Sequence, residues 1–195
     1  MKYIDQVQRP IQLSQVPKRI ISLVPSHTEF LVRLGLEEQL VGITKFCVKP
    51  AHLRSKKTIV GGTKNIRIEK ITSLKPDLII CNKEENTEEL VTACEGIAPV
   101  YVSNIISLDS NLEFILAMGQ LLNKVNLAQD LVESIGQKYK VFKAFMVDKK
   151  TQRVAYFIWR NPYMVAGATT FINELLRLNK FENVFAHLNL SLIHI

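Results

Sequence analysis

The feature that most constrains this chain is an alternation. Five short apolar runs, RIISLV (19–24), LVGIT (40–44), TIV (58–60), DLIIC (77–81) and PVYVS (99–103), are separated by segments whose apolar residues recur at helical spacing. Runs apolar on both faces suit strands buried on both faces. Strands of that kind alternating with helices predict an α/β domain built on a parallel sheet covered on both sides. The expected helices are a stretch with Phe30, Leu31 and Leu34 on one face closed by Gly35, a short one over 68–74 stopped at Lys75-Pro76, one from Thr87 to Cys94, and one from Asn111 to Leu122. Residues 2–13 alternate around a polar centre, Asp5 to Pro10, and predict a short edge hairpin or an extended arm.

From Asn126 to Val147 the rhythm changes. There is no proline, and Leu127, Leu131, Ile135, Tyr139, Phe142 and Met146 form a stripe at helical spacing. A helix of that extent is about 33 Å long and suits a connection between two lobes. A further strand over 153–159, another at YMVAG and a helix from Thr170 to Leu178 begin a second α/β unit. The expected domains are therefore an α/β lobe over 1–124, a backbone helix over 125–148 and a partial second lobe over 149–195. One or two strands and one helix do not close a core, which implies that the second lobe is incomplete. The run Leu190 to Ile195 can also be encoded by a stretch resembling a sequencing-library adapter, and is read as an artefact that removes His194 from functional consideration.

Composition narrows the function classes. With 195 residues, 47% hydrophobic and 22% charged, the chain is neither disordered nor a disulfide scaffold. Its apolar runs fall far short of the ~20 residues that span a bilayer. The formal charge of +7 reads as scattered, with small clusters at Arg54, Lys56, Lys57 and at Lys149, Lys150, and no aromatic interleaving or nucleic-acid-binding pattern accompanies it. No nucleic-acid partner is expected. Cys47, Cys81 and Cys94 have no metal or redox spacing and suit a reduced compartment. The N-terminus has no apolar stretch of signal-peptide type, so the chain reads as cytoplasmic as encoded; a misassigned start codon would make it periplasmic or cell-surface.

The motifs RIISLVPSHTEFLVRLG, VGITKFCVKP, VGGTKN, IEKITSLKPDLIICNKEEN and FINELLRLNKFENVF, in this order, resemble the periplasmic-binding-protein family for cobalamin, haem and ferric siderophores, with the cobalamin-binding branch nearest. The resemblance covers nearly all of residues 1–189. It implies two Rossmann-like lobes with parallel sheets, joined by one long backbone helix. It also implies a ligand cleft between the lobes, lined by loops at the carboxyl ends of strands, a small-molecule metal chelate as ligand, an ABC permease as partner if the protein is exported, and no enzymatic activity. That family is normally exported.

Under this resemblance the candidate residues lie in six loops and at two docking positions. Ser26, with Thr28, reads either as a helix cap or as a ligand contact. His27 is able to coordinate a metal through a neutral imidazole, or is an ordinary surface histidine of a first helical turn. No second His, Cys or carboxylate stands at ligand spacing, so neither a protein-only metal site nor an intrinsic cofactor is expected. Lys45 and Phe46 offer a cation and a stacking face, or a loop anchor, while Cys47 is structural. Gly62, Thr63 and Lys64 form a ligand loop or a plain turn, without the spacing of a phosphate-binding motif. Asn82 and Lys83 form an opposite rim or a solvated helix start. Trp159, Arg160 and Tyr163 follow a strand and suit the edge of a corrin or porphyrin. Thr169 and Thr170 donate hydroxyls or cap a helix. Glu69 and Glu182 stand where the family docks on its permease.

The expected function is a substrate-binding protein of an ABC-type importer that takes a cobalamin-like corrinoid, haem or a ferric siderophore. The alternative is a cytosolic corrinoid-handling factor or enzyme on the same lobes. A third reading is an inert fragment whose Val154, Tyr156, Ile158 and 170–178 helix stay uncovered.

Overall fold

The computed structural model describes residues 1–188 and the backbone of 192–194. The chain divides into two compact units. The first comprises 1–104 and 117–128, and the second 105–116 and 129–195.

The first unit carries the expected sheet. Strands β3 (Ile20–Ser22), β4 (Leu40–Thr44), β5 (Thr58–Gly61), β6 (Leu78–Asn82) and β7 (Val100–Ser103) lie in the order β5-β4-β3-β6-β7, and every pair is parallel. The buried side chains of Ile20, Ile21, Leu78, Ile79 and Ile80 explain why these runs are apolar on both faces. Each such side chain stabilises the fold by about 1.5–3 kcal/mol. Helices α1 (Pro25–Arg33), α2 (Leu53–Lys56), α3 (Ile68–Ser73) and α4 (Glu88–Glu95) provide the crossovers. Gly42 lets α3 pack tightly, because a Cβ there would stand 2.9 Å from Leu74 Cδ1 and 3.0 Å from Val60 Cγ1. The turn α2 was not foreseen; the four residues LRSK present too little pattern.

The N-terminal hairpin of β1 (Lys2–Ile4) and β2 (Pro10–Gln12) forms as expected. Its side chains shield the edge of β7. Asp5 Oδ2 accepts from Val102 N at 3.2 Å and Gln6 Oε1 from Asn104 N at 3.0 Å. An edge strand satisfied in this way is unavailable for pairing with another chain.

Helix α5 (Leu108–Leu121) begins three residues before its expected start, since Ser107 and Ser110 exchange hydrogen bonds at its first turn. Helix α6 (Val125–Met146) is the expected long helix. Gly119 allows α5 to approach α6 at Ala128, where any Cβ would collide with the alanine methyl.

In the second unit the expected strand over 153–159 is two strands in two sheets. Strand β8 (Gln152–Val154) pairs in parallel with β11 (Phe181–Asn183), and β9 (Phe157–Trp159) pairs antiparallel with β10 (Met164–Ala166). Strand β12 (Leu192–His194) also pairs antiparallel with β10. Among the described residues of this unit, parallel pairing is confined to β8 and β11. Of the adapter-like run 190–195, residues 190, 191 and 195 and every side chain lie outside the described residues. Helix α7 (Phe171–Leu178) is capped by Thr170, whose Oγ1 accepts from Asn173 N at 3.0 Å. Asn183 Nδ2 donates to Ala166 O and to Asn173 Oδ1, which locks β10, α7 and β11 together. Of the faces expected to stay uncovered, Tyr156 and Leu175 are exposed, Val154 and Ile158 half-buried, and Leu176 buried. Among the described residues no helix is long and apolar enough to cross a membrane.

Candidate functional site

Strand order reverses at β3, which has β4 on one side and β6 on the other. Open α/β sheets bind ligands outside the carboxyl ends of their strands at such a point. The two ends of this sheet differ in how their polar groups are used.

At the amino end Asp77 accepts from the backbone N–H groups of Lys18 and Arg19, both at 2.8 Å. The Arg19 guanidinium donates to the carbonyls of Leu74 and Lys75 and so caps α3. These two residues explain why the opening arginine and the LKPDLII strand belong to one motif. Both stand at the end of the sheet opposite to the loops after β4, β5 and β6.

At the carboxyl end a buried polar network underlies the surface. His27 Nε2 and Ser103 Oγ share a hydrogen bond of 2.6 Å, and Asn82 Nδ2 donates to the same hydroxyl at 3.0 Å. His27 is 3% exposed, so it is neither a surface histidine nor a group presented to solvent. Burial lowers its pKa to about 3 and keeps the ring neutral. The spacing His27, Leu31, Leu34 was the missed signal, because it extends the inward stripe of α1 back by one turn. Asn82 is likewise committed to the scaffold: its Oδ1 accepts from Glu84 N and Glu85 N, and its N–H donates to Asn86 Oδ1. Asn86 Nδ2 then donates to Thr63 O at 2.7 Å, tying the loop after β6 to the loop after β5. Ser103, the hub of this network, was not singled out from sequence.

Above the network the loops are open. Ser26 is exposed in the first turn of α1, which begins with Pro25 and has no side-chain cap, so the capping role is not realised. Thr28 is buried and donates to Val24 O and Ser22 Oγ. Cys47 is buried within 3.1 Å of Thr28 Oγ1 and 3.3 Å of Thr44 Oγ1, a structural position. Phe46 is 50% exposed, and Lys45 Nζ lies 5.0 Å from its ring centroid. Gly62 sits against this pair, since a Cβ on it would stand 3.4 Å from the Phe46 ring. Gly61 has a different reason to be glycine: at φ 140° any Cβ would strike the backbone of Asn65 and Ile66, so the turn itself demands it. Lys64 is exposed and Thr63 half-buried. Lys83 is exposed and lines a groove of about 550 Å³ with Val7, Arg9, Asn86 and Val102. Burial pushes the Glu84 carboxyl up, Glu85 adds to this, and Lys83 opposes it.

The structure therefore brings Lys45, Phe46, Gly62, Thr63 and Lys64 together around the ends of β4 and β5. Trp159, Arg160 and Tyr163 lie in the second unit on the β9–β10 hairpin, all exposed, with Trp159 at 64%. Phe157 and Tyr163 stack edge to face at 5.7 Å. Thr169 is exposed and Thr170 serves as the cap. Glu69 is exposed in the first turn of α3, and Glu182 is exposed on β11. Among the described residues no group of three or more His, Cys, Asp or Glu is placed to hold a metal ion.

Comparison with known proteins places this architecture. The family described as periplasmic binding protein matches residues 20–194. The chain belongs to that family. It is 28% identical over 193 residues to an uncharacterized ABC transporter substrate-binding lipoprotein of Bacillus subtilis, covering 93% of this chain and 60% of that protein. It is 24% identical over 174 residues to a vitamin B12-binding protein of Yersinia pestis, covering 89% of this chain and 62% of that one. Among solved structures, the periplasmic vitamin B12 binding protein of Vibrio cholerae superposes with a TM-score of 0.83 at 25% identity, over 92% of this chain and 71% of that chain. A periplasmic heme binding protein from Pseudomonas aeruginosa superposes with a TM-score of 0.82 at 21% identity, over 92% and 66%, and shares the fold. The chain thus spans about three fifths of the length of these curated relatives.

Proposed function

We propose that this chain belongs to the binding component of an ABC-type importer that captures a metal chelate of the cobalamin, haem or ferric siderophore class, with a cobalamin-like corrinoid as the first candidate. The observation that carries this reading is the half-exposed Phe46 with Lys45 over its ring, at the carboxyl end of a sheet whose order reverses beside it, in a chain of this family. A flat chelate is recognised by an aromatic face with a few placed polar groups. Phe46 supplies the face. Ser26, Lys45, Thr63, Lys64 and Lys83 supply polar contacts, and Gly62 leaves room beside the ring. Trp159, Arg160 and Tyr163 are, within the second unit, exposed groups of the same chemical kind. His27 and Asn82 act beneath the surface, holding the loops in place through Ser103 and Asn86.

The proposed partner is an ABC permease, met by the exposed Glu69 and Glu182. The proposed compartment is outside the cytoplasmic membrane, supported by relatives whose names include lipoprotein and periplasmic. Binding without chemistry is the proposed activity, since the relatives are named as binding proteins.

Titration calorimetry of the full chain with cyanocobalamin, haem and a ferric siderophore tests the reading. Saturable binding of one of them is expected, and absence of binding to all three overturns it.

A further inference from the structure

The charge of this molecule is not scattered. Residues 45–67 hold seven cations, Lys45, Lys49, Arg54, Lys56, Lys57, Lys64 and Arg67, and no Asp or Glu. The rest of the chain carries eighteen Lys and Arg against eighteen Asp and Glu, so the entire formal charge of +7 resides in this segment. It is the segment that follows β4 and surrounds β5. Lys45 leaves the end of β4, Lys64 stands in the turn after β5, and the backbone of Arg67 donates to Val60 O beside that turn. All three side chains are exposed. Among the described residues Lys56 is the one cation of the segment in an ion pair, at 3.7 Å from Glu37.

We infer that the ligand of this site is anionic: a metal chelate whose periphery carries carboxylates or other anionic oxygens, received by Lys45 beside Phe46 and by Lys64 in the turn after β5. This rests on the binding reading above and reorders its ligand classes, setting haem and anionic ferric complexes ahead of the corrinoid. Like charges gathered with no carboxylate in their own segment raise the local potential and draw in an anion. The Phe46 ring beside Lys45 is a low-dielectric surface on which a charged contact is stronger than in open water. A corrinoid edged with neutral amides makes little use of such a rim. A porphyrin with carboxylate arms, or a ferric complex of catecholates or hydroxy acids, makes full use of it.

The test uses the full chain and four probes: haem, its neutral dimethyl ester, ferric tris-catecholate and cyanocobalamin. The variant is Lys45→Gln with Lys64→Gln, and the control is Lys149→Gln with Lys150→Gln, a basic pair in the second unit. Circular dichroism confirms that both fold. The inference expects haem or the tris-catecholate to bind about tenfold or more tighter than the neutral ester and cyanocobalamin, the double variant to abolish that preference, and the control to keep it. If cyanocobalamin or the ester binds at least as tightly as the anionic probes, or if the double variant keeps the preference, the inference fails and the binding reading stands. If none of the four binds, the binding reading fails and takes the inference with it.

Discussion

The two ends of the five-stranded sheet are made from similar residues used in opposite ways. At the amino end a carboxylate and a guanidinium are committed to the backbone: the half-buried Asp77 holds two N–H groups and the exposed Arg19 holds two carbonyls. At the carboxyl end the buried groups are neutral, His27, Asn82 and Ser103, while the charges Lys45, Lys64 and Lys83 stand outward. The difference separates fold from function. A charged group that completes backbone hydrogen bonds contributes to stability, and one that projects into solvent contributes little and remains available to a ligand.

That contrast is open to attack at each end. The largest effect is expected beneath the carboxyl surface, where His27→Ala removes a buried ring and takes one hydrogen-bond partner from the Ser103 hydroxyl that Asn82 also holds. A stability loss of about 3 kcal/mol should appear in urea denaturation; a loss near zero would mean that the network does not hold the loops. Next comes Asp77→Ala, which strands two backbone donors and should lower stability by about 2 kcal/mol while leaving ligand affinity unchanged among folded molecules.

Acid provides an independent probe of His27. Its folded pKa of about 3 lies below the ordinary value of 6.5, so between those values the unfolded chain holds a proton that the native chain refuses. Stability therefore falls as pH drops through that window and gains nothing from this group above it. Between pH 7 and pH 5 the cost is about 2 kcal/mol, and His27→Gln should be less acid-sensitive than the wild type by that amount. Equal sensitivity in the two proteins would show that the histidine is not buried in the neutral form. The smallest stability effect belongs to Lys45→Gln and Lys64→Gln, each within about 0.5 kcal/mol of wild type by the same urea measurement. A larger loss from either would move that lysine to the scaffold side of the contrast.

Much of the first unit was legible because its signals are redundant. Ile20, Ile21, Leu78, Ile79 and Ile80 are apolar on both faces, and each strand is followed by a turn residue or a proline. The second unit was harder to read. VAYFIW contains neither Gly nor Pro, so nothing in it signals that the chain leaves one sheet at Ala155 and joins another at Phe157. Strand β11, Phe181–Asn183, has one exposed Glu at its centre and pairs through its backbone, which leaves no periodic trace. At the candidate site, roles within the loops depend on burial, which the sequence does not print. His27 and Ser26 are neighbours in sequence, and one helical position sends the first inward and the second into solvent. The concentration of charge in 45–67 was present in the sequence, but counting clusters obscured it where counting the missing carboxylates would have shown it.

The central claim is that the carboxyl end of this sheet receives a metal chelate on Phe46. Calorimetric titration of the full chain and of Phe46→Ala with cyanocobalamin, haem and ferric tris-catecholate tests it most directly. The account predicts saturable binding of at least one chelate by the wild type and about tenfold or weaker binding by the variant. Binding that is indifferent to Phe46, or no binding at all, would contradict it.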